Sequence, residues 1–330
     1  MITIKDIAKR VGVSPSVVSR ALNNKYGVKA TTRDLIVQTA KEMGYHPNVL
    51  AQGLVTRKTN TIGVVMADIS EPFFSQLIKG MNLVADETGY TLIYYNSYES
   101  LIKRYALENM IKAQRVDGLI IVGSNIKEDE YLSNHNWGVP VVLVERRLTA
   151  PRMNCIWVDS IGGAYKATRY LIDQGHQRIA HICGTLDFQV ALDRLEGYRR
   201  ALIDAGLPYV EELVSSGHFI WQDGYTATKE ILKHAPRSTA VFTGNDTMAY
   251  GALQAIAESG LRVPQDIAVV GFDDLEFSLL TNPPLTTVRQ PRMEMGKTAV
   301  STLVSILEGK VREEGVKISL TPELVIRRST

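Results

Sequence analysis

The sequence predicts a small all-α head followed by an α/β core of two doubly wound parallel-sheet subdomains. Three observations predict it. Apolar residues recur at helical spacing through the start of the chain. From Thr61 onward, short apolar runs alternate with amphipathic stretches, the pattern of βαβ units whose strands are buried on both faces. The charge is also split. Residues 1–60 hold ten Lys and Arg against three Asp and Glu, whereas the remainder holds 27 against 32. A basic head on an acidic body suits a polyanion-binding module.

Bulk properties narrow the class. A chain of 330 residues, 45% hydrophobic and 22% charged, can bury a core in each of two or three domains and reads as an ordinary globular protein. It has no apolar run of about 18 residues, so no membrane span is expected. The start, "MITIKDIAKR", is not a basic tip followed by an apolar stretch, so a cytoplasmic location is expected. Cys155 and Cys183 are the only two cysteines. They are too few for a disulfide framework or a cysteine-rich zinc site, and two buried thiols are expected.

In the head, Thr3 can cap a helix at Ile4, with Asp6 completing a capping-box-like pair. Ile4, Ile7, Ala8 and Val11 share one face, and Gly12 ends the helix. In "GVSPSVVSRALNN", Ser14 is a good N-cap and Pro15 a good first-turn residue, because proline lacks an N–H that nothing there would use. Val18, Ala21 and Leu22 form the inward stripe. Thr31 and Asp34 start a third helix with Leu35, Thr39, Ala40 and Met43 inward. Two short helices joined by a tight turn and braced by a third make a helix-turn-helix, whose second helix enters the DNA major groove. Pro15, Ser16 and Val17 then meet base edges, and Arg20 has the fork to read a guanine. Ser14, Ser19, Asn23 and Asn24 suit phosphate or base hydrogen bonds.

"HPNVLAQGLVTRKTN" follows. Pro47 punctuates, and Asn48 can cap a helix to about Val55. That helix is shorter than the roughly 12–15 residues an isolated helix needs, and Gly53 weakens it. It is expected to order only against a partner. Leu54, beside Arg57 and Lys58, could then wedge between base steps in the minor groove.

In the core, "TIGVVMAD", "YTLIYYN", "DGLIIVGSN", "VPVVLVER", "RIAHICG", "STAVFTGND" and "IAVVGFDD" read as buried strands, and the two halves meet near Asp159. Each run ends in polar or small residues: Asp68, Asn96, Ser124, Glu145, Gly184, Asn245 with Asp246, and Asp273 with Asp274. Ligands of doubly wound sheets sit beyond such strand ends, so a ring of hydrogen-bonding groups around one cleft is expected. Phe73, Phe74, Phe219 and Trp221 lie in loops where they could wall it. For any one residue, helix capping is an equal reading; the recurrence favours a site. No nucleophile elbow, phosphate-binding loop, dinucleotide fingerprint or H-E-x-x-H occurs. The six histidines show no metal-ligand spacing. No enzyme, cofactor or metal is expected.

Taken together, "ITIKDIAKRVGVSPSVVSRALNN", "GYHPNVLAQGL", "TNTIGVV", "VDGLIIVGS", "GHQRIAHICG", "GNDTMAYGA", "LRVPQDIAVVGFDD" and "PPLTTVRQP" resemble the lactose/galactose repressor family of bacterial transcription regulators over essentially the whole chain. The resemblance implies a core like the type I periplasmic sugar-binding proteins, a hinge helix, and a homodimer on palindromic operator DNA. It implies a head at 1–46 and a hinge at 47–59. One core subdomain would comprise 60–158 and 290–319, the other 159–289 and 320–330. It assigns DNA contact to Ser14, Pro15, Ser16, Val17, Ser19, Arg20, Asn23 and Leu54; Thr3, Asn48, Ala51 and Gln52 are further expected contacts. It assigns effector contact to Phe73, Asp159, Arg194, Phe219, Asn245 and Asp273, to which the wall and strand-end readings add Phe74 and Ser124. Arg194 would grip ligand oxygens; a surface ion pair with Glu196 or Asp193 is its plainer reading.

Some positions depart from the family. Val17 replaces a threonine and Gln52 the commoner arginine. The chain ends soon after Leu320 without a leucine-heptad tail, so a dimer is expected. Catabolite control proteins of the family bind a phosphocarrier protein; the tyrosine and arginine they use appear here as Met293 and Val300, which argues against that mode. The implied function is a repressor whose operator affinity follows a small molecule in the cleft. An inducing sugar is expected, because the cleft offers aromatic walls, acids and one Arg. A purine-type corepressor is the alternative. A sugar-binding transport protein would keep the cleft but lack the head.

Overall fold

A computed structural model of the chain describes residues 2–45, 58–97, 111, 116–123, 125–234, 238–311 and 315–330. Asn48, Ala51, Gln52, Leu54 and Ser124 lie outside the described residues, as does the hinge apart from residues 58 and 59. The chain divides into two compact units, 1–59 and 60–330.

The head has three helices: α1 (Ile4–Val11), α2 (Pro15–Leu22) and α3 (Ala30–Glu42). The Thr3 backbone N–H and hydroxyl both donate to the Asp6 carboxylate, at 2.8 and 2.7 Å. These bonds hold the Asp6 carboxyl below its ordinary range. Gly12, at φ +77°, ends α1 in the left-handed conformation. Pro15 opens α2 as expected, but the Ser14 hydroxyl meets the Ser16 hydroxyl at 2.8 Å rather than capping the backbone. Ile7, Ala8, Val18, Ala21, Ile36 and Ala40 form the buried centre. One expectation fails here: Leu35 is 52% exposed, and Ile36 takes the inward place. Ile36, Thr39, Ala40 and Met43 fall at i, i+3, i+4 and i+7, one continuous stripe that Leu35 does not join.

The core contains two six-stranded sheets. The first holds β1 (Thr61–Met66), β2 (Thr91–Asn96), β3 (Gly118–Val122), β4 (Val141–Val144), β5 (Asn154–Val158) and β11 (Lys317–Leu320). Its order is β2-β1-β3-β4-β5-β11, all parallel. The second holds β6 (Ile179–Cys183), β7 (Val214–Ser216), β8 (Ala240–Thr243), β9 (Ala268–Asp273), β10 (Thr286–Arg289) and β12 (Glu323–Val325). Its order is β7-β6-β8-β9-β10-β12, parallel except at β12. The central strands are buried along their length, which is why they read as unbroken apolar runs.

Helices cover the sheets. Among them are α4 (Pro72–Thr88), α5 (Asp129–Asn134), α6 (Ser160–Asp173), α7 (Gln189–Asp204), α8 (Trp221–His234), α9 (Asp246–Glu258) and α10 (Arg292–Leu307). Helix α10 returns to pack on α4 in the first subdomain. Gly80 and Gly296 permit this approach, since a Cβ on either would fall 2.1 Å from a backbone oxygen of the facing helix. The chain passes between subdomains after β5, after β10 and after β11. Leu320 pairs with Val158 in the first sheet, one residue past the expected crossing at 319. Both cysteines are buried and unpaired. No helix among the described residues is long and apolar enough to cross a membrane.

Candidate functional site

The two sheets share one strand order, and each reverses direction of winding between its first and third strands. Loops diverge there and leave a crevice beyond the strands' carboxyl ends. A cavity of about 320 Å³ lies at this point, within the usual size range of small-molecule sites. Half of its polar lining comes from strand ends: Asp68 beyond β1, Glu145 after β4, Asn245 beyond β8 and Asp273 closing β9. Phe73, Phe74, Phe188 and Phe219 supply aromatic surface.

Of the effector residues inferred from sequence, Phe73, Phe74, Arg194, Phe219, Asn245 and Asp273 meet at this cavity. Asp159 does not. It is exposed and caps α6 by accepting the Gly162 N–H at 2.9 Å, the use an aspartate finds wherever a strand leads into a helix. Trp221 is not a wall either; it begins α8 with its ring 45% exposed. Phe73 and Phe74 stand in the first turn of α4 rather than in a loop, edge to face with centroids 5.3 Å apart. Glu71, Phe188, Gln189, Val190, His218 and Ile220 also line the cavity, and sequence reasoning missed them. Glu71, Phe188 and Gln189 sit at helix starts that follow strands, so the strand-end rule could have reached them. Val190 and Ile220 carry no such signal.

Arg194 is the best-held group. It is buried, and its guanidinium donates to the Gly244 carbonyl and lies 3.7 Å from Asp273 Oδ1. It stands 4.0 Å from the Phe272 ring centroid and 5.8 Å from that of Phe219. No surface ion pair forms; Glu196 instead binds Arg200, and Asp193 binds Arg147. Arg194 Nε is buried without a partner among the described residues. A buried donor in that state is costly unless a ligand or water takes it up. Gln290 donates to Asp273 Oδ1 at 2.7 Å. Asn245 is held structurally, accepting the Met248 N–H at 2.8 Å and donating to the Phe219 carbonyl at 2.9 Å. It therefore places Phe219.

Three cavity residues that are not glycine have positive φ: Glu145 at +58°, Phe219 at +66° and Asp273 at +120°. Backbone strain of this kind gathers where a side chain must be aimed. The cavity is acidic. Ser70 donors hold the Asp68 carboxyl below its ordinary range. Burial raises Glu71, with Asp68 and Asp273 adding to the shift. Burial raises Glu145 to about 7 against the pull of Arg194. Asp273 is likewise raised by burial, with Arg194 opposing.

Contacts across the cleft tie the subdomains together. Ile126 N–H donates to the Asp187 carbonyl at 2.8 Å beside an Asn125–Phe188 bridge. Lys127 and Arg147 pair with Asp187 and Asp193 at 2.9 and 3.2 Å. Gln76 reaches Glu276 at 3.1 Å. Arg292 reaches the Asp274 carbonyl at 2.9 Å and lies over Phe73.

In the head, Ser14, Pro15, Ser16, Arg20 and Asn23 are exposed along α2 and its ends. Ser19 and Val17 are half-buried, and Val17 packs on the head's own core. Asn23 donates to the Ser19 carbonyl at 2.8 Å. Thr3 is exposed and engaged with Asp6.

A basic helix-turn-helix unit joined to a two-subdomain ligand cleft defines an effector-responsive DNA-binding protein. Residues 3–48 match the family described as bacterial regulatory proteins of the lacI family. Residues 59–327 match periplasmic binding proteins and the sugar-binding domain of the LacI family. The transcriptional repressor PurR of Pasteurella multocida is 37% identical over 100% of this chain and 98% of its own length. The lac repressor dimer bound to operator and the anti-inducer ONPF superposes with a TM-score of 0.90 at 31% identity, covering 99% of this chain and 98% of that one. A complex of the regulator CelR with cellobiose superposes with a TM-score of 0.78 at 34% identity over 100% of both chains. The chain belongs to the LacI family of bacterial transcriptional regulators. It is a sequence-specific DNA-binding repressor, not an enzyme, and a small molecule in the core cleft regulates it. Val300 is fully buried in the first subdomain.

Proposed function

We propose that the effector is a neutral, hydroxyl-rich sugar acting as inducer. One observation carries this reading: four phenylalanines line a cavity together with four acids, Asp68, Glu71, Glu145 and Asp273, and one arginine that faces Asp273. Carboxylates accept from sugar hydroxyls, Arg194 Nε donates to a sugar oxygen, and phenyl rings cover the apolar faces of a pyranose. The surplus of acids disfavours a phosphorylated ligand. That a family member was obtained with cellobiose supports the sugar class. Phe73, Phe74, Arg194, Phe219 and Asp273 are the proposed contacts, with Glu71, Glu145 and Gln189 added. Asn245 acts by placing Phe219.

In the head, Ser16, Arg20 and Asn23 are the proposed base and phosphate readers, aided by Ser14, Pro15 and Ser19. Leu54 is the proposed minor-groove wedge, with Asn48, Ala51 and Gln52 around it. The bound and free forms of the cleft differ in how they set the two hinges of the dimer, and the ligand acts through its differential affinity for those forms. The proposed dimer face of the second subdomain comprises Trp221, Phe277, Leu279 and Leu280, all exposed. Tyr250 on α9 bonds Ser278 at 2.9 Å, while Gly251 packs against the Trp221 carbonyl, so α9 links the two ends of this patch.

A thermal-shift screen of neutral sugars, sugar phosphates and nucleobases tests the reading. A sugar that raises the core transition and releases DNA is expected. Stabilisation by a nucleobase, with tighter DNA binding, would establish the corepressor alternative instead.

A further inference from the structure

The core holds a second cavity, of about 360 Å³, that shares no lining residue with the effector cavity. It lies where the chain crosses from β10 in the second subdomain to α10 in the first. Asp274 and Arg289 line it from one subdomain, Gln76 and Lys297 from the other.

Charge separates the two cavities. The effector cavity sets four acids against one arginine, whereas here three cations, Arg289, Arg292 and Lys297, meet two acids. One of those acids, Asp274, is already engaged: it accepts from Arg289 Nε at 2.7 Å and from Arg327 Nη2. The other, Glu294, is exposed. Arg292 is buried, and among the described residues it donates only to carbonyls, of Phe73 at 3.4 Å and Asp274 at 2.9 Å. Its Nε has no partner among the described residues. Lys297 is half-buried and forms no ion pair among them. A buried cation that meets no carboxylate is costly, and an anion relieves that cost.

The backbone adds to this field. Helix α10 runs for 16 residues from Arg292 to Leu307, and its N-cap is Pro291, with no side chain capping the first turn. Met293 and Glu294 in that turn line the cavity. Uncapped N–H groups and the positive end of a helix dipole attract anionic oxygens.

We infer that this cavity is a second ligand site, for a small oxyanion, a phosphate ester or a polycarboxylate, held by Arg289, Arg292, Lys297 and the start of α10. The site draws on both subdomains, and Gln290 on its lining donates to Asp273 in the effector cavity. An anion held there favours the cleft form in which Arg289 and Lys297 stand together, and so gives the switch a second input.

The test is equilibrium dialysis of the full chain against inorganic phosphate and against citrate, at constant ionic strength. Saturable binding of at least one is expected, and the tighter of the two tells phosphate ester from polycarboxylate. Lys297→Gln is expected to weaken binding about tenfold and Glu294→Gln to tighten it roughly threefold. Neither side chain is in the core, so melting temperatures should match wild type. Gly184→Ala, which disturbs the effector cavity, should leave anion binding unchanged. Binding of neither ion would overturn the inference, as would binding that Lys297→Gln does not weaken. If Arg20→Ala removes the ion and Lys297→Gln does not, the ion sits on the DNA-reading face. If Gly184→Ala removes it, the ion sits in the effector cavity, and the neutral-sugar reading falls as well.

Discussion

The Arg194 guanidinium stands 4.0 Å from the centre of the Phe272 ring, one residue before Asp273, the carboxylate it faces. The end of β9 therefore sets both the position and the counter-charge of the cavity's cation. Arg194→Lys should lose effector binding, because a point-charge ammonium can neither stack on the ring nor fork between Gly244 and Asp273. Arg194→Ala should also destabilise the core by about 3 kcal/mol, since it leaves Asp273 buried without its partner. Calorimetric titration with the effector and denaturant melts of the two variants separate these effects.

Gly184 lies directly against Phe219. A Cβ there would fall 1.8 Å from the ring. Gly184→Ala should push Phe219 out of the cavity and cost about 1–3 kcal/mol of core stability from overpacking. Effector affinity should fall while operator binding persists, giving a repressor that ligand no longer releases. Normal induction by this variant would show that the ring's position is immaterial.

Glu145 has a folded-state pKa raised from 4.5 to about 7, chiefly by burial. The folded protein thus holds this proton more tightly than the unfolded chain. Its stabilising contribution is complete below pH 4.5 and is lost as pH rises through about 7. Glu145→Gln should remove that loss. Melting temperatures measured across this range should show wild type falling relative to the variant as pH rises. Parallel curves would contradict the assignment.

Asp6 is the reverse case: its carboxyl lies below its ordinary range, because it accepts from Thr3. The stability it lends is present above the unfolded value of 3.8 and lost as pH falls through the lower folded one. Asp6→Ala should lower the melting of the head without moving the core transition, because the two are separate compact units. Differential scanning calorimetry would resolve the two transitions.

Leu280 is 78% exposed beside Phe277 and Leu279. An aspartate there would have to be desolvated in any interface through this patch. Leu280→Asp should shift the dimer toward monomer in sedimentation velocity and weaken operator binding, since each monomer reads one half-site. A dimer of unchanged stability would place the interface elsewhere.

The head was legible because short-range rules govern it. Thr3, Gly12 and Pro15 act on their own helix ends, and helical spacing picked out Ile7, Val18 and Ala21 from neighbours a few residues away. Leu35 was misjudged because two overlapping stripes share α3, and only packing against α1 and α2 selects the one through Ile36. In the core, β1, β2, β3, β4, β6, β8 and β9 were legible as apolar runs; β5, β7, β10, β11 and β12 were not, and of these β7, β11 and β12 are short and partly exposed. The cavity's polar rim followed from strand ends, which is why Asp273 and Asn245 were found. The same rule overreached at Asp246, whose carboxylate is taken up by Leu275, Ser278 and Thr287; Asp159, which the family resemblance implied, is likewise consumed by its own helix.

The amino-acid sequence alone determined the head's helices, seven of the core strands, the two-part build, the family and the kinds of side chain around the cleft, because each depends on local spacing or on motifs written in order. Tertiary structure decided which of those side chains meet: that Arg194 is buried against Phe272 and not paired at the surface, that Asn245 holds Phe219, and that Glu71 and Phe188 join the cavity. Those relations span residues far apart in the chain, and their energies come from burial and exclusion of water, which exist only once the two sheets have closed on one another.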